Sequence, residues 1–327
     1  MPAFAGMTRF QLYNNGFFMK KTAIVFPGQG SQSVAMLADV AAQFPEVEKT
    51  FAEGSSVLGY DLWKLVQQGP ADVLNQTVHT QPALLAASVA LWRIIQSRQS
   101  IKPEILAGHS LGEYTALVCA NALSFQDAIR LVAARGQYMQ DAVPANIGAL
   151  AAIVGLDDAV VKILCDNTVQ ANEVLAPANY NCPGQLVIAG HRTAVERALI
   201  TAKEQGARLA MLLPVSVPSH CVLMKPAAER LAELLKTISI TTPAVPVINN
   251  VDVVVYQDAA AIRDGLVRQL FMPVRWVETV QSFVKLGVTR VIECGPGKVL
   301  SGLNKRIAAE LELASANDVS SLTLVME

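Results

Sequence analysis

The sequence predicts an α/β protein, a parallel sheet flanked by helices and carrying a smaller inserted unit. Three observations predict it. Short apolar runs alternate with helical patterns in both halves of the chain, the order that builds a parallel sheet. Residues 146–214 break that alternation and run strand-helix-strand-strand-helix-strand, the order of a ferredoxin-like unit. The 327 residues, 52% hydrophobic and 16% charged, supply ample core and read as folded throughout.

The elements follow in order. "MPAFAGMTRFQLYNNGFF" (1–18) lacks the basic stretch and long apolar run of a secretory signal. Because "MKKTAIVF" reads as a natural start, 1–18 is expected to be an extension or a misassigned start. A genuine but functionally silent arm is the alternative. "TAIVF" (22–26) is a short strand ended by "PGQGSQ". Helical patterns continue to about residue 100. In "QPALLAASVALWRIIQSR", Pro82 is expected in the first turn, where a missing N–H costs little. "EILAG" (104–108) is the next strand and runs into the helix "HSLGEYTALVCA". Ser124 caps the helix "FQDAIRLVAARGQYMQDAV". Within the insert, "IGALAAIVG", "EVLAPANYN", "QLVIAG" and "ARLAMLLPV" are strands. "DDAVVKILCDN" and "RTAVERALITAKEQG" are its helices. The α/β pattern then resumes with "VPVINN" and "VTRVIECG". The expected organisation is a core of 19–145 and 215–310, an insert at 146–214 and a C-terminal tail at 311–327.

Composition excludes several classes. Mean hydropathy is +0.35, high enough to ask about a membrane span. The longest charge-free runs, such as 209–224, are too short for one and contain prolines. A net charge of −1 supplies no basic patch and argues against nucleic acid. Five cysteines without a C-x-x-C pair argue against a metal cluster or a disulfide framework and fit a reducing cytoplasm.

The chemistry centres on "GHSLG" (108–112), a G-x-S-x-G pattern. By itself the pattern is moderately specific, and a small-residue turn without chemistry fits it too. Here it follows an apolar strand and opens a helix, the context a nucleophile elbow requires. The helix N-terminus also points free N–H groups at developing negative charge. Ser110 is therefore the candidate nucleophile and needs a base. There are four histidines. His109 adjoins Ser110 on a sharp turn and should point elsewhere, as a structural residue or a pocket wall. His79 and His191 sit at element ends, where a cap or surface role is usual. His220, in "VSVPSHC", is the base candidate by elimination, and a plain loop histidine fits it as well.

Two glycine-rich stretches fail other tests. "GQGSQS" (28–33) has Ser33 where a dinucleotide fingerprint needs its third glycine, and no acidic residue ends a second strand about 20 residues on. It also lacks the G-K-[ST] ending of a phosphate loop, as does "GPGK". Arg135 is the other residue of note. On its helix Phe125, Ile129, Val132, Gly136, Met139 and Val143 share one side, and Asp127, Arg130 and Asp141 lie nearly opposite. Arg135 falls about 70° from the apolar centre, so it points inward and needs a partner or a ligand. An internal salt bridge or a snorkelling side chain satisfies the spacing.

"FPGQGSQ" (26–32), "TQPAL" (80–84), "GHSLGEY" (108–114), "VPSH" (217–220) and "GPGKVL" (295–300) occur in this order. Together they closely resemble the malonyl-CoA:acyl carrier protein transacylase family of bacterial fatty-acid synthesis, from about Met19 to about Arg306. No motif position departs from the family pattern. The resemblance implies an α/β-hydrolase-like core with an inserted ferredoxin-like domain. It implies that Ser110 carries the acyl group and His220 is its base. The backbone carbonyl of Gln269, in "RQLFMPVRW", would orient His220, a role in which its side chain carries little information. The N–H groups of Leu111 and Gln29 would form the oxyanion hole, and Arg135 would pair with the malonyl carboxylate. The implied reaction passes malonyl from coenzyme A to the phosphopantetheine thiol of acyl carrier protein, with no metal or redox cofactor. A cytoplasmic monomer is expected. Two alternatives stand beside it: a serine hydrolase such as a thioesterase, and a non-catalytic docking paralogue. A stable acyl-enzyme after a burst of CoA separates transfer from hydrolysis, and no CoA release marks the paralogue.

Overall fold

The computed structural model describes residues 20–98, 101–144, 146–215 and 217–327; the segment 1–18 lies outside them. Strands form where the apolar runs stand. β1 (Thr22–Phe26) and β2 (Ile105–Gly108) are buried along their whole length. β3 (Gly148–Val154), β4 (Leu175–Cys182), β5 (Gln185–His191) and β6 (Leu209–Leu212) follow. The chain then returns with β7 (Val247–Ile248), β8 (Arg290–Cys294) and β9 (Glu312–Ala316).

Five strands make one parallel sheet in the order β7-β2-β1-β8-β9. The central strand β1 is covered on both faces. Ile24 and Phe26 join a core with Leu84 and Leu91 of the helix Thr77–Ser97. Ala23 and Val25 join a second core with Trp276 and Phe283. Burial on both faces explains why β1 reads as an unbroken apolar run without alternation.

The other four strands make an antiparallel sheet in the order β4-β5-β3-β6. The helices Asp158–Thr168 and Arg192–Glu204 cover one face through Val161, Leu164, Val195 and Ala198. The opposite face places Leu150, Val187 and Ala189 against Cys221, next to the base candidate. Two hydrogen bonds join this sheet to the core: Tyr180 N–H donates to the Val274 carbonyl and Val274 N–H to the Ala178 carbonyl, each at 2.9 Å. The chain is thus mixed α/β, with the small sheet tied to the core through β4.

Two expectations are corrected. Pro82 is not in the first turn, because the helix begins at Thr77 and holds Pro82 inside it. Hydrogen bonds outside the helical ladder hold the added turn: Gln140 Oε1, from a distant helix, accepts from Val78 N–H, and the Thr80 hydroxyl donates locally to the Leu74 carbonyl. Residues 311–327 are not a tail. β9 pairs in register with β8 from Arg290–Glu312 to Cys294–Ala316, and Leu322 and Val325 of the helix Val319–Met326 enter the main core. The run "ELASA" is short and half-apolar, as an edge strand can be.

Candidate active site

The serine stands at the end of β2, where the chain turns sharply into the helix Leu111–Cys119. Ser110 has φ 53° and ψ −108°, a conformation that a non-glycine residue rarely adopts. Its flanking glycines make the turn possible. A Cβ on Gly108 would lie 1.9 Å from the Gly112 carbonyl, and one on Gly112 would lie 2.1 Å from the Phe26 carbonyl oxygen. No side-chain cap closes this helix, so the hydroxyl is left to face the pocket.

The Ser110 Oγ is 2.8 Å from His220 Nε2. His220 Nδ1 is 2.8 Å from the backbone oxygen of Gln269. A carbonyl only accepts, so the proton sits on Nδ1 and Nε2 presents its lone pair to the serine. Burial, reinforced by the nearby Arg135 charge, pushes the His220 imidazole down to about 3. The imidazole is therefore neutral at ordinary pH and free to accept a proton.

Arg135 is 2% exposed and enters the same pocket. Its Nη1 donates to Gln81 Oε1 at 2.8 Å, and its Nη2 donates to Gln269 Oε1 at 3.0 Å and to Ser110 Oγ at 3.3 Å. The Tyr114 ring centroid lies 5.3 Å from its Cζ. Its Nε has no hydrogen-bond partner. Among the described residues no carboxylate lies within ion-pair distance of it, so the internal salt bridge is not formed.

The pocket encloses about 180 Å³. Gln29, Ser110, Leu111, Arg135 and His220 line it. Leu111 opens its helix, so its N–H has no intrahelical acceptor. Gly28 holds Gln29 beside the elbow, where a Cβ would meet the His109 carbonyl at 2.5 Å. Gln269 is fully buried behind His220. Among the described residues no group of three His, Cys, Asp or Glu side chains is placed to hold a metal ion.

The remaining histidines are elsewhere or otherwise engaged. His79 Nδ1 meets the Tyr60 hydroxyl at 3.2 Å, and His191 Nδ1 accepts from Val174 N–H at 2.8 Å. His109 is a pocket wall, with Nε2 2.9 Å from Asn181 Oδ1.

Sequence reasoning missed a second layer. The Gln269 side chain, expected to carry little information, bridges Arg135, the Ser110 carbonyl and Glu113. Asn250 Oδ1 accepts from Ser110 N–H at 2.7 Å, and its Nδ2 donates to the Gly108 carbonyl. Glu113 accepts from Asn250 N–H at 3.0 Å and from Gln269 Nε2 at 2.7 Å. Burial pushes the Glu113 carboxyl up to about 7 against the opposing pull of those two donors and of Arg135. Glu113 lies within "GHSLGEY" and Asn250 ends "VPVINN", but neither stretch signals these contacts.

Residues 23–326 match the acyl transferase domain family. The malonyl CoA-acyl carrier protein transacylase of Salmonella typhimurium is 56% identical over 308 residues, 94% of this chain and 99% of that protein. The one of Escherichia coli K12 is 55% identical over 309 residues, 94% of this chain and 100% of that protein. An acyl carrier protein S-malonyltransferase from Vibrio cholerae superposes with a TM-score of 0.91 at 58% identity, covering 93% of this chain and 99% of that one. A malonyl-transacylase solved with its type II PKS acyl-carrier protein gives a TM-score of 0.92 at 55% identity, covering 94% and 99%.

Proposed function

The chain belongs to the acyl transferase domain family and, within it, to the malonyl CoA-acyl carrier protein transacylases, and from that premise we propose that it moves malonyl from coenzyme A to acyl carrier protein by way of Ser110. The observation that carries the reading is a serine 2.8 Å from a neutral imidazole, with a buried arginine beside it that forms no ion pair with a carboxylate among the described residues.

The steps follow from the geometry. Ser110 Oγ attacks the thioester carbonyl while His220 Nε2 takes its proton. The N–H groups of Leu111 and Gln29 hold the oxyanion, and donors so placed contribute several kcal/mol each. The tetrahedral adduct collapses, the C–S bond breaks and CoA leaves with the proton from His220. The phosphopantetheine thiol of the carrier protein then enters and gives its proton to His220. Its sulfur attacks the ester carbon, and Ser110 leaves and regains the proton. Throughout acylation the Arg135 fork holds the malonyl carboxylate through paired N–H donors. CoA and the carrier arm are substrates, and the chemistry requires no further cofactor.

The same reading describes the fold as an α/β-hydrolase-like core, residues 19–145 and 215–310 extended by β9, with a ferredoxin-like insert at 146–214. No helix among the described residues is long and apolar enough to cross a membrane. We place the protein in the cytoplasm as a monomer.

The test is intact mass after addition of malonyl-CoA. The parent should gain one malonyl group, and Ser110→Ala should gain none while keeping its fold. An adduct that survives on the variant overturns the nucleophile. Turnover to free malonate without a lasting adduct favours a hydrolase, and no CoA release favours the docking paralogue.

A further inference from the structure

"SLGE" (110–113) has the form of a helix capping box, with Ser110 at the N-cap and Glu113 three residues on. The structure does not build one. Ser110 gives its N–H to Asn250, its hydroxyl faces His220, and the Glu113 carboxyl turns away to Asn250 N–H and Gln269 Nε2. Glu113 is 4% exposed. Burying a carboxyl costs free energy, so its placement calls for a reason other than helix capping.

That reason lies in Gln269. Its side-chain amide stands between Glu113 on one side and the Arg135 guanidinium on the other. Glu113 Oε2 accepts from both of its donors, whether the carboxyl is ionised or carries its proton on Oε1, and a guanidinium only donates. One orientation of the amide therefore satisfies both neighbours: Nε2 toward Glu113 and the Ser110 carbonyl, Oε1 toward Arg135. The backbone oxygen of the same residue receives His220 Nδ1. We propose that Glu113 is a positioning residue for substrate choice: by fixing the Gln269 amide it aims the Arg135 fork at the substrate's carboxylate. It acts through Gln269 and touches neither the substrate nor the reacting atoms.

The inference rests on the malonyl-transfer reading. Glu113→Gln keeps size and shape but gives residue 113 both donors and acceptors, so the Gln269 amide can flip and turn its NH₂ toward Arg135. Malonyl and acetyl transfer to acyl carrier protein are compared in parent and variant. The ratio of malonyl to acetyl kcat/KM should fall about 10- to 100-fold, the scale of a misplaced binding group, and chiefly through KM for malonyl-CoA. In an Arg135→Ala background the same substitution should leave the ratio where it stands, because the two changes act through one contact. If malonyl and acetyl transfer fall together, or the ratio holds in the parent background, the positioning role is overturned and Glu113 merely supports the elbow. Gln269→Glu probes the junction from its other side. A carboxylate there occupies Arg135 and competes with the substrate's, so the ratio should fall, and an unchanged ratio in whichever variant folds sinks the proposal. A parent that forms no malonyl ester on Ser110 sinks the functional reading, an outcome separate from all of these.

Discussion

At the scale of residues, a buried cation and a buried neutral base share one small pocket. Arg135 is charged and His220 is held neutral, in part by that charge. With Arg135→Ala, the malonyl carboxylate enters a pocket with no counter-charge. Loss of one partner of such a pair costs about 2–5 kcal/mol, roughly 30- to several-thousand-fold in rate constant. Malonyl transfer should collapse, and acetyl transfer, which has no carboxylate to place, should hold or rise. Arg135→Lys should restore little, because an ammonium makes no paired donation. The ratio of the two transfer efficiencies decides it, and a parallel fall of both makes Arg135 structural. A pH series adds a second reading. The kcat/KM for acylation reports the free enzyme's base, so the parent should show no acid limb from His220 near 6.5. In Arg135→Ala the limb should move up toward neutrality, because one cause of the depression is gone.

At the scale of elements, the elbow is the part most legible in the sequence. "GHSLG" between an apolar strand and a helix identifies Ser110 because a turn this tight excludes Cβ atoms at both glycines. Gly112→Ala should therefore overpack the turn against the Phe26 carbonyl, at a cost of about 1–3 kcal/mol, and slow acylation by displacing Ser110. Urea denaturation and adduct formation measure the two effects, and an unperturbed adduct rate would show that the turn tolerates a methyl group. The second layer was not legible. Glu113 meets Asn250 and Gln269 across 137 and 156 positions of sequence, and a glutamine's side-chain role is invisible until its neighbours are known. The C-terminal segment misled for a related reason: an edge strand buries one side and carries a weak pattern. Ending the chain at residue 310 should remove β9 together with buried Leu322 and Val325, each contributing about 1.5–3 kcal/mol. Against a total stability of roughly 5–15 kcal/mol, the truncated protein should melt far lower or fail to remain soluble. A melting temperature within a few degrees of the parent would make β9 dispensable.

At the scale of the whole molecule, the site leaves a signature in stability. Glu113 is raised to about 7 from its ordinary 4.5, so between those pH values the folded chain binds more protons than the unfolded one. Its contribution to stability therefore grows as pH falls from 7 to 4.5. His220 is depressed from 6.5 to about 3, so the unfolded chain binds more protons in that window and stability is lost as pH falls through it. The two trends oppose each other between 4.5 and 6.5. Glu113→Gln removes the first. Relative to the parent, that variant should gain stability as pH rises from 4.5 to 7, by about 3 kcal/mol at 1.36 kcal/mol per pH unit of displacement. Melting temperatures of both proteins across that range measure it, and a constant difference would mean that Glu113 titrates normally.

Gln269 serves the base with its backbone and the arginine with its side chain. Redesign of acyl choice therefore has an unequal pair of handles. A change at Gln269 retunes proton transfer and recognition together, and an improvement in one can hide damage to the other. Gln81 holds the far arm of the guanidinium at 2.8 Å and has no contact with His220 among its hydrogen bonds. A substitution there reaches the guanidinium without touching the hydrogen bond that orients the base.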